Sequence, residues 1–195
     1  MAINLKKGQK IDLRKSNGGE LSKVMVGLGW DPVKSKFSLF GPADIDCDAS
    51  VFLCADGKVA DKKDIVAFFN LKHKSKSVIH SGDNLTGEGE GDDEEIMIDL
   101  TKVPEKYDKA IVVVNIYKAR QRKQHFGMIK NAFIRIVDMD NGEELLRYDL
   151  SGDAYSGMTA MVFGEVYRYN GKWKFGAVGQ ATTDNSIEEL AARFQ

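Results

Sequence analysis

The 195-residue chain carries 28 Lys and Arg against 29 Asp and Glu, a formal net charge of −1, with 43% hydrophobic and 29% charged residues. That length allows one domain or two small ones with a substantial core, and the balanced charge excludes any general pull toward nucleic acid or a membrane surface. No stretch approaches the roughly 18 apolar residues of a membrane span, and Met1-Ala2-Ile3-Asn4-Leu5-Lys6-Lys7 lacks a signal-peptide run, so a cytoplasmic protein without membrane insertion is expected.

In chain order, Lys10 to Arg14 alternates with the period of a half-buried strand, and Val24 to Trp30 is a more continuously apolar strand that Asp31-Pro32 ends. Lys34 to Pro42 reads as a loop anchored by Phe37, Leu39 and Phe40. From Asp44 to Cys54 the alternation puts Asp44, Asp46 and Asp48 on one face, with Ile45 and Cys47 on the other. Cys47 and Cys54, on opposite faces and without zinc-type spacing, read as buried thiols. Asp56-Gly57 is a turn, Ile65 to Phe69 a short core strand, and Lys72 to Lys76 a basic stretch leading to Val78-Ile79-His80.

The segment 82–95 follows, with seven carboxylates, no base, and glycines at 82, 87, 89 and 91. Outside it, 22 acids face 28 bases, so negative charge is concentrated in this one segment. Two carboxylates roughly 7 Å apart repel by about 0.6 kcal/mol in water and about 2.4 at an effective dielectric of 20, so packing the segment requires a cation or full solvation. Because Ile96 to Leu100 resumes alternation, the segment joins two strands.

Ala110 to Tyr117 is the strongest central-strand signal, and Lys118 to His125 a basic connection. Strands are expected at 132–137, 144–150, 160–169 and 173–178. Asn170-Gly171 joins the last two in the two-residue turn that favours positive φ. Ser186-Ile187-Glu188-Glu189 is a capping box, and Ile187, Leu190, Ala191 and Phe194 follow helical spacing. About ten short strands separated by turn residues predict an all-β-dominated protein, an antiparallel β-sandwich with a short C-terminal helix, as a single domain over residues 1–195.

Calcium takes six to eight oxygens from carboxylates, amides and carbonyls, the ligand types that segments 44–48 and 83–95 supply. Scarcity of nitrogen and sulfur donors disfavours zinc, copper or nickel. The segment fails as a P-loop because Glu88 stands where lysine is required, and as an EF-hand because Leu85 occupies a ligand position. His73, His80 and His125 are scattered and read as surface or strand-end residues; no catalytic constellation emerges, so no enzyme is indicated. Lys118, Arg120, Arg122 and Lys123 read as a solvated loop, with an acidic partner second and nucleic acid not expected.

Val-Gly-Leu-Gly-Trp-Asp at 26–31, Asp-x-Asp-x-Asp-Ala-Ser at 44–50, Ser-Gly-Asp-Asn-Leu-Thr-Gly-Glu-Gly-Glu-Gly-Asp-Asp-Glu at 81–94, Lys-Asn-Ala-Phe-Ile-Arg-Ile at 130–136 and Arg-Tyr-Asp-Leu at 147–150 resemble the TerD family of tellurium-resistance and general stress proteins. The resemblance extends through 159–168 and 171–175. It implies a cytoplasmic bacterial β-sandwich that binds calcium ions (Ca2+) through acidic loops, acts through protein partners, and serves resistance to tellurite and other chemical stress. Carried over by position, the ligands are Asp46 and Asp48 with Asp83, Asn84, Glu90, Asp92, Asp93 and Glu94, and secondarily Asp31 and Asp44. Tyr117-Lys118 departs from the family's His-Asp pair, Arg120 replaces a typical acid, and Met158 stands where an acid is usual. The alternatives are a metal-independent acidic module that docks a basic partner, and metal-assisted chemistry on tellurite or a phosphate ester.

Overall fold

A computed structural model describes residues 3–4, 9–12, 15, 18–31, 45–82, 85, 91–150 and 152–195. Its strands are β1 (Ile3–Asn4), β2 (Lys10–Asp12), β3 (Lys23–Asp31), β4 (Cys47–Cys54), β5 (Ile65–Val66), β6 (Val78–His80), β7 (Glu94–Asp99), β8 (Lys109–Ile116), β9 (Lys130–Asp138), β10 (Glu143–Asp149), β11 (Ala160–Tyr169) and β12 (Lys172–Thr182). Two short α-helices are α1 (Ala119–Arg122) and α2 (Ile187–Ala192). The strands form two six-stranded sheets, ordered β1-β10-β9-β3-β7-β6 and β2-β12-β11-β8-β4-β5. Every pairing between them is antiparallel except β1 with β10.

The sheets pack face to face because each central strand presents alternate apolar residues inward. Val24, Val26, Leu28 and Trp30 of β3, Ile96 and Ile98 of β7, and Cys47, Ala49, Val51 and Leu53 of β4 enter one buried cluster with Val112 and Val114 of β8. The other face of β4 and β8 is covered too. Phe52, Cys54, Ile111 and Val113 pack against Ile187, Leu190 and Ala191 of α2, which explains why β4 is buried at every position. Ser186 caps that helix by accepting the Glu189 N–H, while the Glu189 carboxylate accepts the N–H of Asn185, one residue upstream of its position in the usual box. Asn170 and Gly171 have φ of 51° and 75°, the left-handed pair a type I′ hairpin needs.

Several expectations are corrected. The strand anticipated over 65–69 is only Ile65–Val66, because Phe68-Phe69 turns back between Ala67 and Asn70. The basic connection contains the helical turn α1, bounded by Lys118 and Lys123 at positive φ. His73 and His80, expected at the surface or at strand ends, are 1% and 3% exposed; only His80 ends a strand. The free thiols of Cys47 and Cys54 are both buried, as anticipated. No described helix is long and apolar enough to cross a membrane.

Candidate metal centre

The acidic segments meet where β3, β4 and β7 end. Trp30 ties them together: its indole Nε1 donates to the Ile45 carbonyl at 3.0 Å, and its backbone N–H donates to Asp93 Oδ2 at 2.9 Å. The Asp93 N–H in turn donates to the Leu28 carbonyl at 2.7 Å, extending the β3–β7 ladder into the acidic segment. Burial, with Asp92 and Asp31 nearby, raises the Asp93 pKa above the ordinary carboxylate value, against the lowering effect of the Trp30 N–H.

Glu94 is fully buried on the inner phase of β7 with Ile96 and Ile98. Its Oε2 accepts the Ala49 N–H at 2.7 Å, bridging the two sheets, and lies 3.6 Å from His80 Nε2. His80 Nδ1 accepts the Gly82 N–H, which leaves the ring proton on Nε2, facing the glutamate. Asp46 and Asp48 are 3% and 2% exposed. Asp48 Oδ2 accepts from Asn115 Nδ2 at 3.2 Å across the β4–β8 ladder, and Asp46 Oδ2 lies 3.7 Å from the Arg122 guanidinium. Burial pushes the Cys47 thiol pKa well above its ordinary value, and the surrounding charges of Asp48, Glu94, Asp46 and Asp93 push it further. Four carboxylates from the two segments thus act electrostatically on one buried strand-end thiol.

Asp92 turns the other way. Its carboxylate pairs with Arg135 through contacts of 2.8, 2.9 and 3.1 Å on the outer face of the first sheet, and lies over Gly27. Asp31, at the exposed end of β3, accepts from Asn131 at 2.7 Å. Of the ten candidate ligands, Asp44, Asp83, Asn84 and Glu90 lie outside the described residues. Among the described residues, no three His, Cys, Asp or Glu side chains are placed to hold one metal ion.

Arg135, Asn115, His80 and Trp30 were absent from the sequence-derived set. Trp30 and Arg135 had a sequence signal, since they lie in the Val-Gly-Leu-Gly-Trp-Asp and Lys-Asn-Ala-Phe-Ile-Arg-Ile motifs. A second polar network escaped notice as well. The Tyr107 hydroxyl donates to Asp64 Oδ1 at 2.6 Å, and His73 places Nε2 3.3 Å from that same oxygen and Nδ1 2.6 Å from Ser75 Oγ. The Ser75 oxygen also accepts the Ser77 N–H and lies 2.7 Å from Ser77 Oγ, so it is braced on several sides and poorly arranged to attack a substrate.

A TerD domain profile matches residues 1–194. The chain is 54% identical over 200 residues to stress response protein SCP2 of Bacillus subtilis strain 168, covering 100% of both chains. It is 49% identical over 181 residues to tellurium resistance protein TerD of Serratia marcescens, covering 92% of this chain and 91% of that one. Over 60% of this chain and 83% of the other it is 49% identical to chemical-damaging agent resistance protein B of Clostridium acetobutylicum. A solved homologue of telluride resistance protein TerD from Streptomyces coelicolor A3(2) shares the fold, with a TM-score of 0.69 at 23% identity over 86% of this chain and 94% of that one. Profile, relatives and two-sheet architecture agree: this chain belongs to the TerD-domain family of tellurium-resistance and stress-response proteins.

Proposed function

We propose that this protein is a calcium-binding member of its stress-response family, in which the ion draws the two acidic segments together and the resulting surface is read by protein partners. The observation that carries this reading is the joining of the two acidic segments, with Trp30 donating to both Ile45 and Asp93, Glu94 accepting from Ala49, and Asp46 and Asp48 at most 3% exposed. Buried carboxylates cost several kcal/mol each unless compensated, and a divalent cation compensates several at once. The all-oxygen donor set suits calcium. Asp46 and Asp48, with Asp83, Asn84 and Glu90, would hold the ion. Asp92, Asp93 and Glu94 would join only by exchanging Arg135, the Trp30 N–H and the Ala49 N–H.

Thermal melts with and without calcium test this reading. Ligand linkage stabilises the fold by about 2.7 kcal/mol at a free calcium concentration 100 times the dissociation constant. The midpoint should therefore rise with calcium and respond less to magnesium. Asp48→Asn and Asp83→Ala should each remove most of the rise. A midpoint indifferent to millimolar calcium would overturn the proposal, and salt-sensitive partner binding that survives chelator would favour the metal-independent acidic module.

A further inference from the structure

Where β8 runs out into α1, a cleft of about 170 Å³ opens between the Phe68-Phe69 turn, Tyr117-Lys118 and the start of α2. None of the six described candidate calcium ligands lines it. Asn115 forms part of its wall and is 3% exposed. Its amide nitrogen donates to Asp48, which fixes the amide's orientation and leaves Oδ1 as the remaining acceptor. That oxygen is shut off from solvent and, among the described residues, has no hydrogen-bond partner. A buried acceptor left unmade costs about 1–3 kcal/mol, so a donor entering the cleft is favoured by that amount.

The walls are flat and aromatic. Phe68 meets Phe69 edge-on at 5.3 Å between centroids and Tyr117 at 5.9 Å. Phe68 and Phe69 occupy the centre of a two-residue turn, where Gly, Asn or Asp would be usual, and Phe69 is 51% exposed. Such aromatic placement at a turn tip costs solvation unless something covers it. The cleft is lined by one cation, Lys118, its ammonium 5.0 Å from the Tyr117 ring, and one anion, Glu188, neither with an ion-pair partner among the described residues; the Arg122 guanidinium lies 5.3 Å from the same ring but faces Asp46 at 3.7 Å.

We propose that this cleft binds a free aromatic α-amino acid whose ring carries an N–H or O–H donor, tryptophan fitting it best. The ring inserts beside Phe69 and Tyr117 and donates to Asn115 Oδ1, while the α-carboxylate meets Lys118 and the α-ammonium meets Glu188. One positive and one negative group at the rim match a zwitterion. A nucleotide would set its phosphate against Glu188 with Lys118 to offset it, since the Arg122 guanidinium is drawn toward Asp46. Because Asn115 Oδ1 is shut off from solvent, the ring reaches it only as the lining side chains move, and the exposed Phe69 ring rotates within nanoseconds.

Calorimetric titration of the full chain with L-tryptophan, in chelating buffer so that the outcome is independent of the calcium reading, should show saturable one-to-one binding. Tryptamine lacks the carboxylate, indole-3-propionate the ammonium, and ring-N-methylated tryptophan the donor; each should bind about tenfold more weakly or worse. Phe69→Ala and Lys118→Asn, the latter tolerant of left-handed backbone, should each weaken binding about fivefold or more with unchanged melting temperature. Absence of saturable binding at millimolar tryptophan overturns the proposal. Equal affinity for N-acetyl-tryptophanamide, which would mark a peptide-borne side chain, or tighter binding of adenosine monophosphate overturns it as well.

Discussion

Gly27 and Gly29 of β3 show how single positions shape the acidic end of the molecule. A Cβ at Gly27 would come within 2.3 Å of the Asp92 carboxylate, and one at Gly29 within 2.6 Å of the Phe133 ring. Absence of a side chain is therefore what lets the Asp92–Arg135 pair lie flat on the sheet. Gly27→Ala should destabilise the fold by about 1–3 kcal/mol in urea unfolding, because Asp92 must leave Arg135 or the strand must shift. The cause is separable by a double-mutant cycle: in an Asp92→Ala background the cost of Gly27→Ala should fall, and strict additivity would show that the strain lies elsewhere.

Between elements, β9 and β10 carry an ion network on the same outer face. Arg135 joins Asp92 and Glu144, Arg147 joins Glu144 through two contacts of 2.8 Å, and the Arg147 guanidinium lies 4.0 Å from the centre of the Phe133 ring. Hydrogen bonds from Arg147 first, and Arg135 next, hold the Glu144 pKa down to about 2 from its ordinary 4.5, against desolvation. A depressed carboxylate stabilises the fold fully above its unfolded pKa, and that contribution drains away as pH falls through the folded value. Wild type should lose stability between pH 4.5 and pH 2 more steeply than Glu144→Gln, with the two unfolding curves converging at the acid end. Parallel curves would remove Glu144 from the acid response. The network also marks a limit of sequence reading. A continuous β-branched run revealed β8, Asn170-Gly171 revealed the β11–β12 hairpin, and the capping box revealed α2, because each signal is local. Asp92 and Arg135 are 43 residues apart and join only through the β7–β3–β9 strand order, which no local period encodes. For the same reason the run of acids read as one ligand set, although Asp92, Asp93 and Glu94 turn to the outer sheet face, the β3 backbone and the inter-sheet core.

At the scale of the whole molecule, Trp30 is where both acidic segments are tied to the sandwich, one by its indole and the other by its backbone N–H. Substitution to Phe keeps a ring in the core and the backbone bond to Asp93, and deletes the donor to the Ile45 carbonyl together with part of the ring volume. The general stability cost should be about 1–3 kcal/mol for an orphaned buried carbonyl, with a further loss for the volume removed from the core. The segment leading into Asp46 and Asp48 then loses its tether to β3, so an ion shared between the two segments must spend part of its binding free energy ordering them. Trp30→Phe should therefore lower the calcium-induced rise in melting temperature by more than it lowers the calcium-free melting temperature, measured on the same preparation. Equal losses in both conditions would mean that Trp30 supports only the core, and that the two acidic segments do not act as one site.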